Sequence, residues 1–163
     1  MHALRSIRVA RTMAIAGVYT ALTIILGYWS FGPLQFRIAD AMLALPFLRT
    51  LGVEAVAGLT LGGLLGNIPS PFGFWDWLFG PVTNLGASLI FYLAGKAPGN
   101  RVIWLATGGA LSSLWIAFSI GYLELELVFS QPSWAFLAVF SSELIIILLF
   151  GSLIVKFAER MGL

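Results

Sequence analysis

Residues 134–157, WAFLAVFSSELIIILLFGSLIVKF, decide the class of this protein. The run holds one acid, Glu143, about ten residues in, and one base, Lys156, next to its end. A helix of roughly 24 residues rises about 36 Å, enough to cross a hydrocarbon core of about 30 Å. The whole chain agrees: of 163 residues, 60% are apolar and 10% charged, whereas a soluble domain carries about 25% charged residues. Cysteine is absent, which excludes a disulfide framework and a thiolate metal site. The net charge is +2 with no run of like charge, so no nucleic-acid partner is expected. No linker or low-complexity stretch divides the chain, and a single domain over 1–163 is expected.

Five more apolar segments precede this one. They cover about 10–29, 34–49, 51–68, 75–95 and 102–123, separated by the turn-forming stretches SFGP, RTLG, NIPSPFG, KAPGN and SQPS. The first follows Arg5, Arg8 and Arg11 like a signal peptide. It is longer than an h-region and ends in Gly27-Tyr28-Trp29 without a cleavage site, so it reads as a retained membrane helix. The second is short and contains Pro46. Its roughly 16 residues reach only about 24 Å as an α-helix, which suits a partial span or an irregular stretch buried in protein.

The bases then set the topology. Arg5, Arg8, Arg11, Arg49, Lys96, Arg101, Lys156 and Arg160 fall at one side, and only Arg37 falls at the other. The positive-inside rule therefore gives an all-α protein of six transmembrane helices with both termini cytoplasmic.

The acids form the complementary pattern. Asp40, Asp76, Glu124 and Glu126 lie toward the outer ends of their segments, Glu143 lies near mid-depth, and Glu54 and Glu159 accompany inner bases. Ionisable groups at membrane depth are costly and mark functional sites. The stretch FGPLQFRIAD, residues 31–40, brings Gln35, Arg37 and Asp40 together. The candidate ligand set is Gln35, Arg37, Asp40, Asp76, Glu124, Glu143, Trp75 and Asn67. Plainer roles stand beside it. Arg37 and Asp40 have the spacing of a structural ion pair, and Asp76 suits a helix N-cap. Glu124 and Glu126 suit a solvated loop, and the outer tryptophans suit an interfacial belt. Two small-residue stripes, Gly58/Gly62/Gly66 and Ala10/Ala14/Gly17/Ala21, allow close helix packing; the second also suits docking of a partner. The sequence holds no P-loop, and its only histidine is His2, so no catalytic site, metal site or cofactor is expected.

Three motifs, FGPLQFRIADAMLALPF, GLTLGGLLGNIPSPFGFWDWLFG and SSELIIILLFG, resemble the QueT family, queuosine-precursor substrate-binding subunits (S components) of energy-coupling factor (ECF) transporters. The resemblance extends over nearly the whole chain. It implies a six-helix subunit without its own ATPase, in a prokaryotic plasma membrane. The implied partners are a transmembrane coupling subunit and two cytoplasmic ATPases; S components of this kind dock through an A-x-x-x-A pattern on helix one, matched here by Ala10 and Ala14. The family pattern Q-F-R-[IV]-S-E becomes Gln35-Phe36-Arg37-Ile38-Ala39-Asp40 in this chain, which shortens the acid and removes a hydroxyl.

The implied ligand, a 7-deazaguanine, presents two adjacent N–H donors that one carboxylate accepts together, and an oxygen that Gln35 or Arg37 can bind. A 7-aminomethyl substituent adds an ammonium and calls for a second carboxylate. Alternatives are an S component for another vitamin or nucleobase, an ion-coupled secondary transporter, and a structural subunit without a ligand.

Overall fold

The computed structural model describes residues 2–32 and 35–163. It is all-helical, with no strand among the described residues. The elements are α1 (His2–Ile25), a 3₁₀ helix α2 (Ile38–Phe47), α3 (Gly52–Gly66) and α4 (Phe74–Lys96). They are followed by α5 (Arg101–Val128) and α6 (Trp134–Arg160). A single helical turn, Gly27–Ser30, follows α1. By length and composition α1, α4, α5 and α6 are able to cross a membrane, and α2 and α3 are shorter apolar helices.

The second segment departs most from its sequence-based bounds of 34–49. Leu34 lies outside the described residues, and Gln35 to Arg37 are irregular and buried. The helix that follows has ten residues wound in the tighter 3₁₀ form. It touches α1, α3, α4, α5 and α6, and Asp40, Leu43, Ala44 and Phe47 are at most 3% exposed. Its small residues make this enclosure feasible. A Cβ built on Gly151 of α6 would lie 3.1 Å from the Ala41 carbonyl oxygen. Gly95 of α4 lies directly against the Phe47 backbone.

The glycine stripe of α3 packs inside the protein, against α1. A Cβ on Gly58 would lie 2.7 Å from the Thr12 carbonyl, and one on Gly62 3.0 Å from the Tyr19 side chain. The α1 stripe does not pack this way: Ala10, Ala14, Gly17 and Ala21 are all exposed, and a Cβ on Gly17 meets nothing within 4 Å. These two faces lie on opposite sides of one peripheral helix.

Two late segments are longer than their sequence-based bounds of 102–123 and 134–157. α5 continues through Ala117–Val128 in wide, π-type turns, and α6 has similar turns at Ile146–Gly151. The stretch ELELV is thus helix, not loop. Asn100 caps α5 by accepting from Val102 N at 2.8 Å. Glu54 and Glu159 pair with bases as expected, with Arg8–Glu54 at 2.7 Å and Arg101–Glu159 at 2.6 Å.

Filling the α1–α3 contact must force the helices apart, and an overpacked site costs about 1–3 kcal/mol. Gly58→Leu is therefore expected to lower the melting temperature of the detergent-purified protein by several degrees. Gly17→Leu, on the open face, is expected to leave it within a degree or two. Equal effects in a thermal unfolding assay would contradict this packing.

Candidate functional site

The irregular turn 35–37, α2, the start of α4, the end of α5 and the middle of α6 enclose one polar cluster. Arg37, Asp40, Asp76, Glu124 and Glu143 are each at most 6% exposed. Asp40 accepts a hydrogen bond from the Tyr19 hydroxyl of α1. That hydroxyl also lies 3.4 Å from Asn84 Oδ1, and Asn84 Nδ2 donates to the Leu59 carbonyl at 2.9 Å. The carboxyl of Glu143 on α6 adjoins Asp40. A second pair stands beside the first: Glu124 of α5 faces Asp76 of α4. Asp76 accepts from the Ser70 hydroxyl, and Asn67 Nδ2 donates to the Asp76 carbonyl oxygen at 3.2 Å.

Arg37 is within electrostatic reach of both pairs. It does not make the direct ion pair with Asp40 that its spacing invites. Its guanidinium instead lies over the Phe31 ring, 5.4 Å from the centroid. Four carboxyls therefore share one guanidinium in the buried interior, where charges left uncompensated cost several kcal/mol each. Neither oxygen of Glu124, nor Glu143 Oε2, nor Asn67 Oδ1 has a hydrogen bond of ordinary geometry. Such a set favours a ligand that brings N–H donors or positive charge.

Above the cluster, toward the end that carries Phe31, is a cavity of about 300 Å³ lined by Phe31, Gln35, Phe72, Leu125, Gln131 and Trp134. It is at the small end of the range for ligand sites, with flat apolar walls and a few polar groups. Gln35 is buried and has a φ of 47°. For a residue with a side chain that conformation costs of order 1 kcal/mol. It directs the chain so that residue 35 lines the cavity and residue 37 meets Phe31.

Most of the sequence-based set therefore converges, with one residue apart and three plainer roles set aside, the Arg37–Asp40 ion pair among them. Trp75 is 39% exposed and packs on Phe74 and Phe79, away from the cluster. The solvated-loop role fails for Glu124, which is fully buried because α5 continues past it. Glu126 is half-buried and accepts from Phe136 N at 3.2 Å, tying α5 to the start of α6. Asp76 is not the N-cap of α4, since that position is Gly73; it sits in the first turn and is held by Ser70.

Tyr19, Asn84, Ser70 and Gln131 were not legible as site residues. Asn84 carried the clearest signal, an amide in the interior of an apolar segment. Tyr19 carried the faintest, since aromatic residues are ordinary in membrane helices.

The family model described as QueT transporter matches residues 9–160, and the chain belongs to that family of membrane transporters. No curated protein and no solved structure matches it.

Losing the Tyr19 hydroxyl leaves Asp40 without its donor, and hydrogen bonds to charged groups contribute about 1.5–3 kcal/mol. Tyr19→Phe is expected to lower the unfolding temperature and to loosen Asp40. Tyr28→Phe, on an 87% exposed residue, is expected to do neither. A melting curve for Tyr19→Phe that overlays the parent would remove this hydrogen bond from the site.

Proposed function

We propose that this QueT transporter is the substrate-binding S component of an ECF-type importer and takes up a 7-deazaguanine queuosine precursor. The observation that carries this reading is the buried pairing of Asp40 with Glu143 and of Asp76 with Glu124, beneath an aromatic cavity. A deazaguanine fits that chemistry. Its N1–H and exocyclic amine are two parallel donors for one carboxylate, Asp40 or Glu143. Gln35 or Arg37 supplies a donor to the ring oxygen. An aminomethyl group, being cationic, is matched by Asp76 and Glu124. Phe31, Phe72 or Trp134 supplies a face for stacking, which contributes about 1–3 kcal/mol per base.

In this reading the chain is a single domain that crosses a prokaryotic plasma membrane six times. The third crossing segment is α3, and α2 is the buried second one. Both termini are cytoplasmic, and the cavity opens outside. Energy comes from two cytoplasmic ATPases through a coupling subunit, which meets the exposed stripe Ala10, Ala14, Gly17 and Ala21. Outward exposure of that stripe, with the glycine stripe of α3 already occupied, supports docking there. A titration discriminates a deazaguanine from another nucleobase or vitamin.

Trp134 at the cavity wall makes tryptophan fluorescence the natural readout. Saturable quenching is expected with 7-aminomethyl-7-deazaguanine, weaker quenching with the 7-cyano form and with guanine, which share its donor edge but lack the ammonium, and none with riboflavin. Replacing a bidentate acceptor costs at least about tenfold in affinity, so Asp40→Asn is expected to weaken binding by that factor or more. Gly17→Leu is expected to keep binding but to reduce co-purification with the coupling subunit. Folded protein that answers no deazaguanine would sink the substrate assignment.

A further inference from the structure

A second cavity, of about 450 Å³, lies at the opposite end of the molecule between α1, α2, α3 and α4. Arg8, Arg49 and Lys96 converge on it, with Glu54 the only acid in its lining. Glu54 is already taken by Arg8 at 2.7 Å. Arg49 donates from Nε to the Gly95 carbonyl at 3.2 Å, which engages one of its five N–H donors. The Lys96 ammonium sits over the Tyr92 ring, 4.0 Å from the centroid, and makes no ion pair among the described residues. Arg49 and Lys96 thus stand at the cavity without a carboxylate partner among the described residues.

Val53, at its rim, is shared with a shallow apolar groove between α3 and α4, also of about 450 Å³. Val56, Ala57, Leu61, Pro81 and Leu85 line that groove. Its one polar side chain, Thr60, is satisfied within its own helix by the Val56 carbonyl at 2.8 Å. From Val53 to Leu64 the groove follows α3 for about 16 Å, close to one leaflet of a hydrocarbon core of about 30 Å. A free anion or a partner's carboxylate would need the basic cavity but not the groove.

We propose that this composite site binds an anionic phospholipid. The headgroup phosphate lies between Arg49 and Lys96, and one acyl chain runs along the α3–α4 groove. The site rests on the chain's being a membrane protein and not on which substrate it carries. In the topology given above, it faces the cytoplasmic leaflet, where anionic lipid attracts juxtamembrane bases.

The test is lipid retention by the full-length detergent-purified protein, read by native mass spectrometry together with melting temperature. The probes are phosphatidylglycerol, phosphatidylcholine and inorganic phosphate. Phosphatidylglycerol is expected to be retained about fivefold over phosphatidylcholine, the effect of one favourable cation contact, and to raise the melting temperature. Phosphate alone is expected to do neither. Lys96→Gln, at an exposed side chain, removes most of the preference without changing the melting temperature in phosphatidylcholine. Leu61→Trp fills the groove and lowers phosphatidylglycerol retention. Lys156→Gln with Arg160→Gln, basic residues elsewhere at the same end, retains the preference. Equal retention of both lipids would overturn the proposal, as would loss of preference in the Lys156/Arg160 variant but not in Lys96→Gln. Stabilisation by phosphate alone would replace it with a free-anion site. Deazaguanine binding is scored in the same samples, and its loss or retention is independent of the lipid result.

Discussion

A 3₁₀ helix of ten residues rises about 20 Å, well short of the hydrocarbon core, and lipid offers nothing to the backbone groups at its ends. Ile38–Phe47 is tenable at membrane depth only because protein surrounds it. That requirement shapes the rest of the molecule. α1, α3, α4, α5 and α6 all contact it, and they approach closely at glycines, Gly95 against Phe47 and Gly151 against Ala41. Because α2 is sheathed, the irregular turn before it is sheathed too, and Arg37 and Asp40 are buried in protein and not in lipid. The polar cluster is thus a consequence of the short helix as much as of its own charges.

Magnitudes limit what the cluster can be. Two carboxylates about 4 Å apart would repel by about 4 kcal/mol at an effective dielectric of 20, and the site contains two facing pairs of carboxyls with a single guanidinium in reach. Tyr19 supports Asp40, and Ser70 supports Asp76. Glu124 has no comparable protein donor. A purely structural network would be expected to satisfy its members first, since a half-satisfied one is worse than an apolar core. The uneven support is easier to understand in a site that trades protein partners for ligand ones.

Much of this was legible in the sequence for physical reasons. Charges at membrane depth are rare enough that Asp40, Asp76, Glu124 and Glu143 stand out, and the shortness of 34–49 already argued for burial in protein. What remained hidden depended on phase. Glu124 and Glu126 are about 200° apart on an α-helix, so one faces in. The wide turns of α5 and the end of the helix decide which, and hydrophobic periodicity assumes regular turns. Trp75 and Tyr19 were exchanged for the same reason: the helix faces they occupy follow from packing against neighbours, not from composition. Gln35 needed the left-handed backbone at its own position to reach the cavity wall, and nothing in FGPLQFRIAD specifies that.

The placement of α1 links two features that the sequence presents separately. Its inner face carries Tyr19, which donates to Asp40, and packs on Gly58 and Gly62. Its outer face carries Gly17 and Ala21, each two residues from Tyr19 and exposed. A regular helix is stiff over that distance, so Tyr19 cannot shift by an ångström while Gly17 and Ala21 stay in place. If the coupling subunit docks on the outer stripe, occupancy of the Asp40 site and the position of the docking face are mechanically tied through a single turn of helix. The glycine contact with α3 fixes the axis of α1 closely, with Gly58 against the Thr12 carbonyl and Gly62 against the Tyr19 side chain, while Arg8–Glu54 and the Thr20 hydroxyl on the Gly62 carbonyl tie the two helices together. Such a connection needs no long pathway through the protein, because the proposed ligand site and the proposed docking surface would be the two sides of one helix.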